Sequence, residues 1–226
     1  MRSGSAVIAA VVLLTTGLPA ASGRRISIHT EDGLMLSGIY YEPSRRPAPG
    51  IVLLHMLRRT HEDWDAAASH LAEAGFAVVA VDFRGADAEL SPLAFDVKAA
   101  KTFLRERPEV VGSSIGIAGA SVGANLAVID AGDDPGVRSI ALLSPGLDYK
   151  GLRIEAAMKK YGERPALLVG STRDLYTWRS IRRLVSIGPG TREVRLTDAV
   201  AHGTVLLSRD SELIPALVDW FRRTLL

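Results

Sequence analysis

The chain has 226 residues, 47% hydrophobic and 23% charged, which excludes disordered, collagenous and low-complexity readings and fits one α/β domain. With 27 Lys and Arg against 25 Asp and Glu, the net charge of +2 cannot build a phosphate-binding stripe and argues against a nucleic-acid partner. The absence of cysteine excludes disulfides, thiolate zinc sites, a Cys nucleophile and a lipid-modified N-terminal Cys, although it leaves the compartment open.

Residues 1–23 read as a secretory leader. Arg2 is the one charge, Ala6 to Leu14 is a continuous apolar run, and Ala20, Ala21, Ser22 and Gly23 supply small residues for cleavage. Cleavage is expected after Gly23, with Ala21 as the alternative, giving a mature domain over 24–226 that is secreted or periplasmic. The run is shorter than the roughly 20 apolar residues a membrane span needs, and no later segment is long and apolar enough. No stable span is therefore expected once the leader is removed.

From Arg25 to Thr30 apolar and polar residues alternate, Glu31-Asp32-Gly33 is a turn signal, and Leu34 to Tyr41 returns as the second strand of a hairpin. Strands and helices then take turns. Ile51 to Leu54 is a strand, Trp64 to Ala74 a helix closed by Gly75, Phe76 to Val81 a strand and Phe95 to Arg105 a helix. Ile115 to Ala118 is a strand and Ala124 to Ala131 a helix. Val137 to Leu143 is a strand, Ile154 to Lys160 a short helix and Ala166 to Val169 a strand. Arg179 to Ser186 is a helix, Glu193 to Leu196 the last strand and Leu213 to Thr224 the last helix. The strands read as continuous apolar runs, as expected when both faces of a sheet are covered. Alternation of this kind needs a mostly parallel sheet with helices on both faces, whose sites lie at the carboxyl ends of the strands.

The residues at those ends are the informative ones. After Ile115 to Ala118 comes Gly119-Ala120-Ser121-Val122-Gly123, a G-x-S-x-G pattern between a strand and a helix. Such a sharp turn exposes a serine hydroxyl, and its glycines let strand and helix approach closely. The competing reading of Ser121 is an ordinary helix N-cap. A serine nucleophile needs a base and a group to orient that base, in the order Ser, Asp, His on such a fold. Asp174 follows the Ala166 to Val169 strand, and His202 follows the last strand. Each alone could be a cap or a loop residue, but together they stand in the required order at strand ends. Asp148, after the Val137 to Leu143 strand, competes for the acid role; Asp198 lies too close to His202. For the developing oxyanion, one donor is expected at the Val122 N–H and a second in the loop His55-Met56-Leu57-Arg58-Arg59, at Leu57 or alternatively Met56. His55 is expected to pack under the site and bond that loop. Arg58 and Arg59 would either meet a substrate carboxylate or stay solvated, and Trp64 and Trp178 would either line the cleft or pack in the core.

These segments resemble a serine hydrolase of the α/β-hydrolase superfamily, on its compact dienelactone-hydrolase-like side. The likeness runs from Arg25 to Leu226 and is carried by Glu31-Asp32-Gly33, Leu53-Leu54-His55-Met56, Val81-Asp82-Phe83-Arg84-Gly85, Gly119 to Asn125, Gly170 to Asp174 and Ala201-His202-Gly203. It implies an eight-stranded, mostly parallel sheet, a Ser121–His202–Asp174 triad, no metal or organic cofactor, and hydrolysis through an acyl-enzyme. Two departures stand out. Dienelactone hydrolases use a Cys nucleophile, which argues against carrying their substrate over. Met56 stands where many relatives have Gly, implying a side chain that narrows the pocket mouth, so His55 and Met56 are expected at the substrate.

The 22 residues between Leu143 and Ala166 suit one short helix and no lid domain. The expected partner is thus a small acyl substrate, an ester first. An amidase or peptidase using the same triad and a non-catalytic binding module are the other readings. Oligomeric state is not legible.

Overall fold

The computed structural model describes residues 22–85, 90 and 92–226. The leader expected over 1–23 therefore lies, up to residue 21, outside the described residues.

Strands β1 (Arg24–His29) and β2 (Met35–Tyr41) form the opening hairpin, Gly33 supplying the left-handed turn at φ 86°. There follow β3 (Ala48–Leu54), a 3-10 turn (His61–Trp64), α1 (Asp65–Glu73), β4 (Ala77–Val81), α2 (Leu93–Arg105), β5 (Val110–Ala120), α3 (Val122–Asp133) and β6 (Val137–Leu143). A small hairpin of β7 (Asp148–Tyr149) and β8 (Leu152–Arg153) leads into α4 (Glu155–Tyr161). Then come β9 (Ala166–Ser171), α5 (Leu175–Val185), β10 (Arg192–Thr197), α6 (Val205–Arg209) and α7 (Leu213–Leu225). Eight strands make one sheet in the order β1-β2-β4-β3-β5-β6-β9-β10, with β2 antiparallel to both its neighbours and every pair from β4 to β10 parallel.

The apolar runs read from the sequence are two interleaved faces. Val52 and Leu54 of β3, with Val79 and Val81 of β4, pack toward the side holding Val97, Leu126, Met158 and Ile181 from α2, α3, α4 and α5. Ile51, Leu53, Val78 and Ala80 point the other way, onto Leu71, Leu217, Trp220 and Phe221 from α1 and α7. The central strands β3 and β4 are thus covered on both sides, the condition a parallel sheet requires, while the edge strands β1 and β10 stay largely open. Trp64 is wholly buried on this second face, so it belongs to the core and not to the cleft.

Several elements differ from expectation. Helix α5 begins at Leu175, because Asp174 caps it, instead of at Arg179. Helix α3 starts directly after Ser121. Strand β5 runs beyond its apolar centre at both ends, through register shifts at Ala48/Gly50 and Ile115/Gly116. The segment between β6 and β9 carries the β7–β8 hairpin besides the expected helix, and α6 had no periodicity long enough to announce it. No helix among the described residues is long and apolar enough to cross a membrane.

Candidate active site

The register of the parallel strands sets Leu54, Gly119, Leu142, Leu168 and Val194 on one line, so the loops after β3, β5, β6, β9 and β10 meet at one edge of the sheet. Ser121 occupies the turn from β5 to α3 at φ 52° and ψ −115°, a region that L residues rarely adopt. Its N–H donates to Leu143 O, tying the turn to β6. The glycines on either side have a packing reason. A Cβ at Gly119 would overlap the Gly123 carbonyl, and one at Gly123 would overlap Leu54 O. Alanine at either place would push α3 off the sheet.

Ser121 makes no side-chain cap bond. Its hydroxyl lies 2.9 Å from His202 Nε2, and His202 Nδ1 lies 2.6 Å from Asp174 Oδ2. The competing N-cap reading of Ser121 therefore fails on geometry, whereas for Asp174 both readings hold at once. Asp174 Oδ1 accepts the Thr177 N–H at 3.1 Å, while Oδ2 accepts the Thr177 hydroxyl at 2.7 Å as well as the histidine. Burial by itself would raise the Asp174 carboxyl, but the bonds from His202 and Thr177 outweigh it and hold the group below the ordinary carboxylate value. With a carboxylate at Nδ1, that nitrogen carries the proton and Nε2 is left as the acceptor facing Ser121. The His202 side chain is 47% exposed, so the arrangement opens directly at the surface.

Asp148 is not brought to the histidine. Its carboxylate accepts from Arg153 Nε and the Gly151 N–H, closing the β7–β8 turn. The place beside the histidine loop at the end of β6 is taken by Ser144, buried and at φ 52°, whose Oγ accepts the Gly203 N–H at 2.9 Å.

The loop after β3 is held from below. Phe83 N–H donates to His55 Nε2 at 2.9 Å, so the proton sits on Nδ1 and is given to Met56 O at 2.7 Å. Burial pushes the His55 ring below the ordinary histidine value, consistent with a neutral structural ring. Leu57 and Val122 line one small cavity of about 60 Å³ together with His55, Arg58 and Phe83. Among the described residues neither the Leu57 nor the Val122 N–H has a backbone acceptor outside regular elements, and Val122, as the first residue of α3, has none within its helix. Met56 does not line that cavity. Its thioether packs against Gly203, the residue after the histidine, at a glycine whose φ is 60°. Met56, half-buried, thus stands against the histidine loop. Arg59 is taken up by Asp63 in a two-point ion pair, and Trp178 is half-buried beneath Arg182.

Sequence reasoning missed Ser144, Asn125, Thr177, Asp63 and Thr204. Asn125 secures the loop after β6 through Gly146 and Leu152. Only Thr177 had a local signal, the D-x-x-T spacing of a helix start. Among the described residues no cluster of three or more His, Cys, Asp or Glu is placed to hold a metal ion.

Strand order, the strained turn at Ser121 and the loops gathered at one sheet edge together define an α/β-hydrolase fold. A family model of the alpha/beta hydrolase fold matches residues 55–208, and the chain belongs to that family. No curated protein matches it. Similar solved structures include a dienelactone hydrolase from Anabaena variabilis, 16% identical, with TM-score 0.78 over 92% of this chain and 100% of that one. An esterase from Pyrococcus furiosus is 18% identical, with TM-score 0.75 over 91% and 92%. A thermostable carboxylesterase cloned from a metagenomic library is 20% identical, with TM-score 0.74 over 92% and 90%. At these identities the likeness is one of fold.

Proposed function

We propose that this chain is a serine hydrolase that cleaves small or short-chain carboxylic acyl esters through an acyl-enzyme. The observation that carries the reading is the unbroken chain of hydrogen bonds from Ser121 Oγ through His202 to Asp174, on a backbone strained at the serine. His202 takes the serine proton as Ser121 attacks the acyl carbonyl. Asp174 holds the ring in the tautomer that can do so and stabilises the imidazolium. The Val122 and Leu57 N–H groups receive the negative charge that develops on the carbonyl oxygen. His202 then protonates the leaving alcohol and later activates the water that frees the acid.

A small cavity lined by Leu57 and Val122 is where this reading seats a short acyl group. The segment between β6 and β9 adds a hairpin and one helix, not a lid domain. Esterases and a dienelactone hydrolase among the structures of similar fold agree with ester chemistry.

A fluorophosphonate tests this without knowing the natural substrate. One adduct by intact mass is expected on the wild type and none on Ser121→Ala. A folded wild type that takes up none would sink the reading and bring forward a non-catalytic binding role. The labelled-competent protein is expected to turn over butyrate esters far faster than matched butyryl anilides, and the reverse preference would make it an amidase. Export to the envelope or medium is proposed from the leader alone, and a mature chain beginning at residue 24 or 22 by mass is the expected sign.

A further inference from the structure

Two residues past Leu57, Arg59 leaves the loop that carries the second expected oxyanion donor, and its N–H closes that loop onto Met56 O. Two residues past His202, Thr204 leaves the histidine loop and is 3% exposed. Both side chains end on one carboxylate. Asp63, in the 3-10 turn before α1, receives Arg59 Nε at 2.8 Å and Nη2 at 2.5 Å, and its Oδ2 accepts the Thr204 hydroxyl at 2.5 Å. The Asp63 side chain is 10% exposed. Burial would raise its carboxyl, but the bonds from Arg59 and Thr204 prevail and keep it below the ordinary value. The histidine loop is also pinned from its other side, at Gly203, by Ser144. Beside the packing of Met56 on Gly203, Arg59, Asp63 and Thr204 link the oxyanion loop to the histidine loop by hydrogen bonds that do not pass through the nucleophile.

We propose that Asp63 is a positioning residue, a clamp that sets the oxyanion loop and the histidine loop at a fixed separation through Arg59 and Thr204. The proposal rests on the hydrolase reading above. Its consequence falls on turnover. The Leu57 N–H and the His202 ring act most strongly when charge builds on the substrate oxygen and the serine proton moves, so a loose separation weakens the transition state more than the bound substrate. Displacements well under an ångström suffice for a tenfold effect, since one of about 1 Å can cost about a hundredfold.

Thr204→Val keeps the shape of the side chain and removes the hydroxyl. Thr204→Ser keeps the hydroxyl, and Asp63→Asn keeps an acceptor while losing the charge that faces Arg59. Active sites are counted first by fluorophosphonate adduct, so that unfolded protein does not enter the rate, and kcat and KM are then measured on a butyrate ester. For Thr204→Val the expected result is a kcat per titrated site about 10-fold lower, with KM within about twofold of wild type. Thr204→Ser restores most of the loss, and Asp63→Asn lies between. If kcat per titrated site stays within about twofold in both Thr204→Val and Asp63→Asn while Tm falls, the bonds only hold the scaffold and the clamp is overturned. A rise in KM at unchanged kcat overturns it equally. A wild type that takes up no fluorophosphonate refutes the hydrolase reading itself, which is a different result from a labelled wild type with indifferent variants.

Discussion

The double variant Ser121→Ala/His202→Ala is expected to hydrolyse a short-chain ester no more slowly than either single variant, each about 10⁶-fold below wild type in kcat. The serine hydroxyl and the imidazole bond each other at 2.9 Å and act on one proton. Without the base the hydroxyl is too weak a nucleophile at neutral pH, and without the hydroxyl the base has nothing to activate. The two losses therefore cannot multiply. On the proposed mechanism, what remains in all three variants is the contribution of binding and of the Leu57 and Val122 N–H groups, worth about 10³–10⁴ over water in such sites. Single-turnover measurements with a butyrate ester check the result. If the double variant were slower than either single by a further large factor, the two groups would be acting independently and the shared-proton mechanism would be wrong.

Asp174→Asn is expected to lower kcat by about 10⁴-fold, and Asp148→Asn by less than about twofold. The first substitution barely disturbs the fold, because Asn is as good an N-cap as Asp and its carbonyl can still accept from Thr177. The change is chemical. An amide NH₂ facing His202 Nδ1 donates where the carboxylate accepts, so the ring proton moves to Nε2. The nitrogen at Ser121 is then a donor and cannot take the serine proton. Asp148 is 44% exposed and occupied by Arg153 and the Gly151 N–H, so the same substitution there touches only the β7–β8 turn. Parallel kcat measurements on the two variants decide the matter, and effects in the reverse order would move the acid to the end of β6.

Much of the architecture was legible because it is locally encoded. The hairpin from Arg25 to Tyr41 shows in period-two alternation around Asp32-Gly33, and the central strands in apolar runs such as Ile51 to Leu54. Where expectation and structure part, the cause is a side-chain partner that apolar periodicity does not show. Helix α5 starts four residues early because the Asp174 side chain caps it while also holding His202. Met56 meets Gly203, 147 residues further along the chain, a contact that no local pattern announces. Arg59 pairs with Asp63 only four residues on, but that Asp63 also bonds Thr204, 141 residues away, is decided by the tertiary structure.

By itself the sequence determined the alternating elements and the turn at Ser121, because each depends on residues within a few positions of one another, and it set Ser121, Asp174 and His202 each after its own apolar run. The glycines at 119 and 123 mark the turn in the sequence, although the close approach that Gly123 permits is to Leu54 O of β3. Only the tertiary structure decided which carboxylate meets the histidine, which loop donors share a cavity, and which side chains hold those loops apart. Asp148 and Asp174 both follow strands, and nothing local separates them. The sheet order and parallel register bring β9 and β10 side by side with Ser171 level with Thr197, so the Asp174 and His202 loops leave the sheet together. That order is set by burial summed over both faces of eight strands, a global quantity that no short stretch of residues contains.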